Sequence, residues 1–151
     1  MLKEGNKAPS FSVQDDQGRT VNLSDFAGKK DVVLFFYPRA DTPGCTREAC
    51  DFRDVKQEIE KKGAAVLGIS ADGMTAQKKF REKFDLNMPL LCDIDKKIVQ
   101  AYGVYKEKNM YGKKVMGIER TTFIIGKDGT IKKIFPKVKV EGHTEEVLAA
   151  L

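Results

Sequence analysis

Only one of the 151 residues is histidine and three are cysteine, and no two cysteines stand in C-x-x-C spacing. That argues against a zinc centre and against the dithiol motif of a general disulfide reductase. No apolar run is long enough for a bilayer crossing, no segment is of low complexity, and neither repeat nor linker divides the chain. Met1-Leu2-Lys3-Glu4-Gly5 has no apolar run behind its basic residue, so no secretory signal is expected. These absences predict one domain over residues 1–151, cytoplasmic, with no membrane, metal or cofactor. In that compartment cysteines stay reduced unless one has a redox task. The net charge of +5 comes from 27 basic residues scattered among 22 acidic ones. It reads as a mixed, solvated surface and not as a nucleic-acid interface.

Hydrophobic patterning predicts strands alternating with helices. Phe11-Ser12-Val13 and Thr20-Val21-Asn22-Leu23 alternate about Asp15-Asp16-Gln17-Gly18, an N-terminal hairpin. Ser24-Asp25 can cap a short helical turn ending at Gly28. Asp31 to Tyr37 is almost wholly apolar, as a strand buried on both faces must be. After Gly44 a helix carries Ala49, Phe52, Val55 and Ile59 on one stripe and stops at Lys61-Lys62-Gly63. Ala65 to Ser70 is a second buried strand, and Ala76, Phe80 and Phe84 mark a second helix. Pro89 to Asp93 is a short strand, and Ile98, Val99 and Tyr102 share a helical face. Tyr105 to Glu119 is polar and glycine-punctuated, a mobile loop or ragged hairpin. Thr121–Ile125 and Thr130–Phe135 flank Gly126-Lys127-Asp128-Gly129 as a hairpin, and a helix capped near Thr144 closes the chain. Together these elements predict an α/β sandwich around a mixed sheet.

The chemistry concentrates between Phe35 and Cys50. An apolar strand breaks on Pro38, Pro43 and Gly44, and helix resumes with Cys45 in its first turn. The opening N–H groups of a helix lack internal acceptors and carry partial positive charge, which favours a thiolate there. The thiolate is the nucleophilic form, so Cys45 is the candidate reactive cysteine. Cys50 falls off the apolar stripe, where a partner could reach it. Cys92, in Leu90-Leu91-Cys92, reads as a core thiol. Five residues along an intact helix separate the Cα atoms by about 8–9 Å and turn the side chains about 140° apart. A disulfide needs Cα atoms within about 7 Å. A Cys45–Cys50 bond would therefore require the helix start to unwind.

Pro38-x-x-x-Thr42-x-x-Cys45 is similar to the active-site signature of the peroxiredoxins. Thr42-Pro43-Gly44-Cys45-Thr46 with Glu48-Ala49-Cys50 resembles the bacterioferritin comigratory protein, or peroxiredoxin Q, branch. The resemblance runs from Gly5-x-x-Ala8-Pro9-x-Phe11 to Arg120-Thr121-Thr122-Phe123-Ile124-Ile125 and Asp128-Gly129. It implies a thioredoxin-like fold and an antioxidant thiol peroxidase acting on hydrogen peroxide and organic hydroperoxides. By the same resemblance Cys45 is the peroxidatic cysteine, oxidised to sulfenic acid, and Cys50 resolves it as an intramolecular disulfide that thioredoxin or a similar dithiol reduces. Thr42 and Arg120 complete the peroxide site, Pro38 shields it, and Glu48 orients the arginine. Cys92 lies outside the signature. No C-terminal arm with a cysteine follows, so an intersubunit disulfide is not expected, and the chain is expected to be a monomer or weak dimer. The competing functions are a general disulfide reductase, which lacks its motif here, and a basic binding module or holdase.

Overall fold

A computed structural model describes residues 2–151. The N-terminal hairpin pairs β1 (Ser12–Gln14) with β2 (Thr20–Asn22), setting Val13 opposite Val21. A 3-10 turn follows at Leu23–Phe26. Its cap is Asn22, whose N–H donates to Asp25 Oδ2 at 2.9 Å, and not Ser24, which lies inside the turn.

The apolar run becomes β3 (Asp31–Phe36), the central strand of a five-stranded sheet. β4 (Ala64–Ser70) and β5 (Leu90–Cys92) lie parallel to it on one side, while on the other β8 (Thr121–Ile125) runs antiparallel to β3 and β9 (Ile131–Phe135) antiparallel to β8, in the order β5-β4-β3-β8-β9. Successive strand residues point to opposite faces, so one run serves two cores. Val32, Leu34 and Phe36 join Phe11, Ile69, Tyr102 and Phe123 on one face. Val33, Phe35 and Tyr37 meet Cys45, Ala49, Phe52 and Ile59 on the other.

That second face holds α1 (Pro43–Lys61), which ends just before Gly63, at φ +81°. Phe52 stacks on Phe35 with ring centroids 4.5 Å apart. Removing such a ring typically costs about 3–5 kcal/mol, so this contact anchors the helix that carries Cys45. α2 (Met74–Phe84) differs from the expected stripe: Ala76 faces solvent and Gln77 is buried. Arg81 of α2 pairs with the buried Asp16 of the N-terminal hairpin and donates to the carbonyls of Leu86 and Met88. The hairpin is thereby locked to the sheet's β5 edge.

α3 (Lys97–Ala101) leads to the segment expected as a mobile loop or ragged hairpin. It is instead a regular hairpin, β6 (Tyr105–Met110) with β7 (Lys113–Ile118), in unbroken register from Tyr105–Ile118 to Met110–Lys113. The turn at Tyr111-Gly112 takes positive φ at both residues, +53° and +79°, the twist a two-residue hairpin favours. Finally, α4 (His143–Ala150) begins after Gly142, one residue before Thr144, and packs on α1. Its buried His143 meets Thr122 at Nε2 and Glu146 at Nδ1, each at 2.7 Å.

Candidate active site

β3 delivers the chain to one end of the sheet, where Tyr37 to Asp41 turn it into α1. Asp72 holds this turn, its carboxylate accepting the Ala40 N–H at 2.7 Å and the Ser70 hydroxyl at 2.6 Å. Gln77 extends the network, accepting from the Tyr37 hydroxyl and donating to Ser70 Oγ and the Leu91 carbonyl. Every side chain in this relay has a partner, as burial demands.

Thr42 is the N-cap residue of α1, with extended backbone, but it makes no side-chain cap. Its hydroxyl donates to the Arg39 carbonyl at 2.8 Å. With its proton committed there, the hydroxyl offers acceptor lone pairs to the peroxide site. Pro43 has no N–H, and Thr46 N–H returns to Thr42 O at 2.8 Å. The N–H groups of Gly44 and Cys45, at the positive end of the helix, are left without an intrahelical acceptor.

Cys45 is the third residue of α1 and is 1% exposed. Arg120, in the short passage from β7 to β8, reaches across to it, with Nη2 at 3.4 Å from Sγ. Its Nη1 donates to Glu48 Oε1 at 2.8 Å. Glu48 stands one helical turn after Cys45, so both fall on the face that meets the arginine. Burial pushes the Glu48 carboxyl from 4.5 up to about 7, against the pull of Arg120. Glu48 Oε2 has no hydrogen-bond partner among the described residues. Burial works against the Arg120 charge, but Glu48 and Cys45 more than compensate and raise it above the usual arginine range.

The structure thus brings Thr42, Cys45, Glu48 and Arg120 to one place, with Pro38 half-buried in the turn leading to them. Cys50 lies two residues beyond Glu48 on the same unbroken helix, and no disulfide joins the described cysteines. It is not the solvent-facing residue its spacing suggests, because it is half-buried and packs on the edge of the α1 core. Burial pushes its thiol up, with Arg53 opposing. Cys92 sits apart on β5, where its Sγ faces the Leu90 carbonyl at 3.7 Å. Burial and the carboxylates of Asp16, Asp15 and Asp72 push its thiol up to about 11. Sequence reasoning misses Tyr37, Ser70, Asp72 and Gln77. Gln77 has a legible signal, a polar residue in step with Phe80 and Phe84 on the buried stripe.

A parallel β3-β4-β5 unit with an antiparallel β8-β9 edge, and a buried cysteine opening α1 beside a carboxylate-held arginine, define a thioredoxin-fold thiol peroxidase. Residues 5–134 match the AhpC/TSA family. The chain belongs to that family, as a peroxiredoxin of the Bcp branch. It is 49% identical over 150 residues to a putative peroxiredoxin Bcp of Coxiella burnetii, covering 99% of both chains. It is 46% identical to peroxiredoxin Bcp of Bacillus subtilis, covering 99% of this chain and 95% of that one. A solved structure of the Xanthomonas campestris bacterioferritin comigratory protein, described for its alkyl peroxide reduction activity, superimposes with TM-score 0.88 at 40% identity. That match covers 93% of this chain and 88% of the other.

Proposed function

We propose that Cys45 reduces hydrogen peroxide and organic hydroperoxides, and that Cys50 completes the cycle within the same chain. The observation that carries this reading is the Arg120 Nη2 to Cys45 Sγ contact of 3.4 Å at the open start of α1. The Cys45 thiolate attacks the terminal peroxide oxygen, the O–O bond breaks, and alkoxide or hydroxide leaves, taking a proton to become alcohol or water. Cys45 is left as sulfenic acid. Charge shifts from sulfur to the leaving oxygen, so preset donors along that line lower the barrier most. The candidates are the Arg120 guanidinium and the free N–H groups of Gly44 and Cys45, with the Thr42 hydroxyl accepting the peroxide O–H. Glu48 fixes the arginine, and Pro38 screens the sulfur from water.

The Cys50 thiol then attacks the sulfenic sulfur, releasing water and forming the Cys45–Cys50 disulfide. Because both residues lie on one continuous helix, the segment around residues 43–51 unwinds for this step. A thioredoxin-type dithiol reduces the exposed disulfide by exchange. We place this single domain in the cytoplasm as a monomer or weak dimer, acting in antioxidant defence. No helix among the described residues is long and apolar enough to cross a membrane. One equivalent of peroxide followed by disulfide mapping tests the assignment. A Cys45–Cys50 bond is expected, and Cys45→Ser is expected to abolish turnover. Sustained thioredoxin-linked turnover by Cys45→Ser would overturn it.

A further inference from the structure

The β6–β7 hairpin carries a cation that the reaction scheme above does not use. Lys106, Lys108 and Met110 alternate on one face of β6, and their partners in register are Gly117, Val115 and Lys113. The one carboxylate on that side is Glu119, at the root of the hairpin. Lys106 is paired with Glu119 at 2.8 Å. Lys108 forms no ion pair among the described residues, and its ammonium donates to the Ile118 carbonyl at the root of the hairpin. Arg120 lies two residues beyond that carbonyl.

Gly117 explains how the lysine gets there. A Cβ at this position would stand 3.2 Å from Lys108 Cδ, 3.4 Å from Cε and 3.6 Å from Nζ. The bare backbone lets the lysine stem lie flat across β7, so the ammonium points back toward the sheet and not out to water. The charged groups it meets are few. Burial lowers its basicity and the Arg120 charge adds to that, while Glu119 and the Cys45 sulfur oppose. Glu119 is already engaged by Lys106. Two cations thus stem from the root of this hairpin, Lys108 on the Ile118 carbonyl and Arg120 two residues on, and the anion that Arg120 reaches is the Cys45 sulfur or the oxyanion that replaces it during reaction.

On the reading of Cys45 as the peroxidatic residue, we propose that Lys108, laid over Gly117, is a second cationic residue of the peroxide site. It acts through its field, favouring the thiolate and the charge that grows on the departing oxygen, without bonding to either. In a partly desolvated site a unit charge affects the rate without direct contact. The hairpin then belongs to the catalytic apparatus and is not an ornament beside it.

The test uses full-length protein with Cys45 as its single cysteine (Cys50→Ser with Cys92→Ala). Two quantities are measured: the second-order rate of one turnover with hydrogen peroxide, and the near-ultraviolet titration of the Cys45 thiolate. Lys108→Met is expected to slow the reaction about three- to tenfold, to move the titration toward higher pH, and to weaken the salt dependence of the rate. Lys108→Arg is expected to keep most of the rate. Gly117→Val, which displaces the stem while leaving the lysine in place, is expected to reproduce the loss and to add nothing to Lys108→Met. Lys113→Gln, a cation near the hairpin tip, is expected to change neither quantity. An unchanged rate and titration in Lys108→Met, with Cys45 still reacting, overturns the role of Lys108 and leaves that of Cys45 intact. A parent protein that does not react with peroxide removes both.

Discussion

Arg120 passes so close to Gly44 that a side chain there would have to push it aside. A Cβ on residue 44 would lie 3.1 Å from Arg120 Nη2, the same nitrogen that faces the Cys45 sulfur at 3.4 Å. The glycine does not take positive φ, so what it provides here is close approach and not backbone freedom. Gly44→Ala is expected to keep or slightly raise helix stability, because alanine is the better helix former. It should slow peroxide reduction about five- to tenfold by displacing the guanidinium. Stopped-flow rates beside thermal melts would separate the two effects, and a normal rate would show that the arginine finds another route to the sulfur.

Glu48 supplies a prediction about stability and pH. Its carboxyl is raised from 4.5 to about 7 by burial, so the fold prefers it neutral. The corresponding stability is fully present below about pH 4.5 and is lost as pH rises through about 7. Glu48→Gln mimics the neutral form. It is expected to stabilise the protein at pH 8 by on the order of 1–3 kcal/mol, with little change at pH 4. Peroxide reduction should fall in the same variant, because Arg120 loses its anionic partner. Urea midpoints at the two pH values check the first claim, and an equal shift at both would contradict it.

Cys92 should be a bystander. Its thiol is 6% exposed and pushed up to about 11, surrounded by carboxylates and with no cation to activate it. Cys92→Ala is expected to leave turnover within about twofold and to cost about 1 kcal/mol for the small cavity. A Cys45–Cys92 bond in the peroxide-treated protein would reverse this reading and take the resolving role from Cys50.

Resolution by Cys50 requires the start of α1 to open. Hydrogen exchange on the reduced and disulfide forms is expected to show protection of residues 46–51 only in the reduced form. The rest of α1 should stay protected in both, held by Phe52 on Phe35 and by the fully buried Ile59. Equal protection of residues 46–51 in the two forms would refute the unwinding.

Much of this molecule is legible in its sequence. The all-apolar run from Val32 to Phe36 announces a central strand, and Pro43-Gly44-Cys45 announces a helix with a cysteine in its first turn, because both signals are local. Arg120 stands 75 residues from Cys45, and no pattern in composition or period joins them; only the resemblance to peroxiredoxins does. The β6–β7 hairpin reads as a mobile loop or ragged hairpin because its strands are largely solvated on both faces, so neither alternation nor apolar runs mark them. The exposure of Cys50 is misjudged for a different reason. A helical wheel measures angle from the core stripe, but Cys50 still packs against the edge of the α1-side core.

The burial of Glu48 has one more consequence, for the proton balance of the cycle. Glu48 lies inside the stretch that must unwind for Cys50 to reach Cys45. In water its carboxyl returns from about 7 to the ordinary 4.5. Between those values, opening the helix sheds a proton that closing it must recover. Disulfide formation would then be favoured by rising pH and the docked, reduced helix by falling pH, through a carboxylate that exchanges no electrons. The residue that holds the arginine in place would also make the protein's redox equilibrium responsive to acidity.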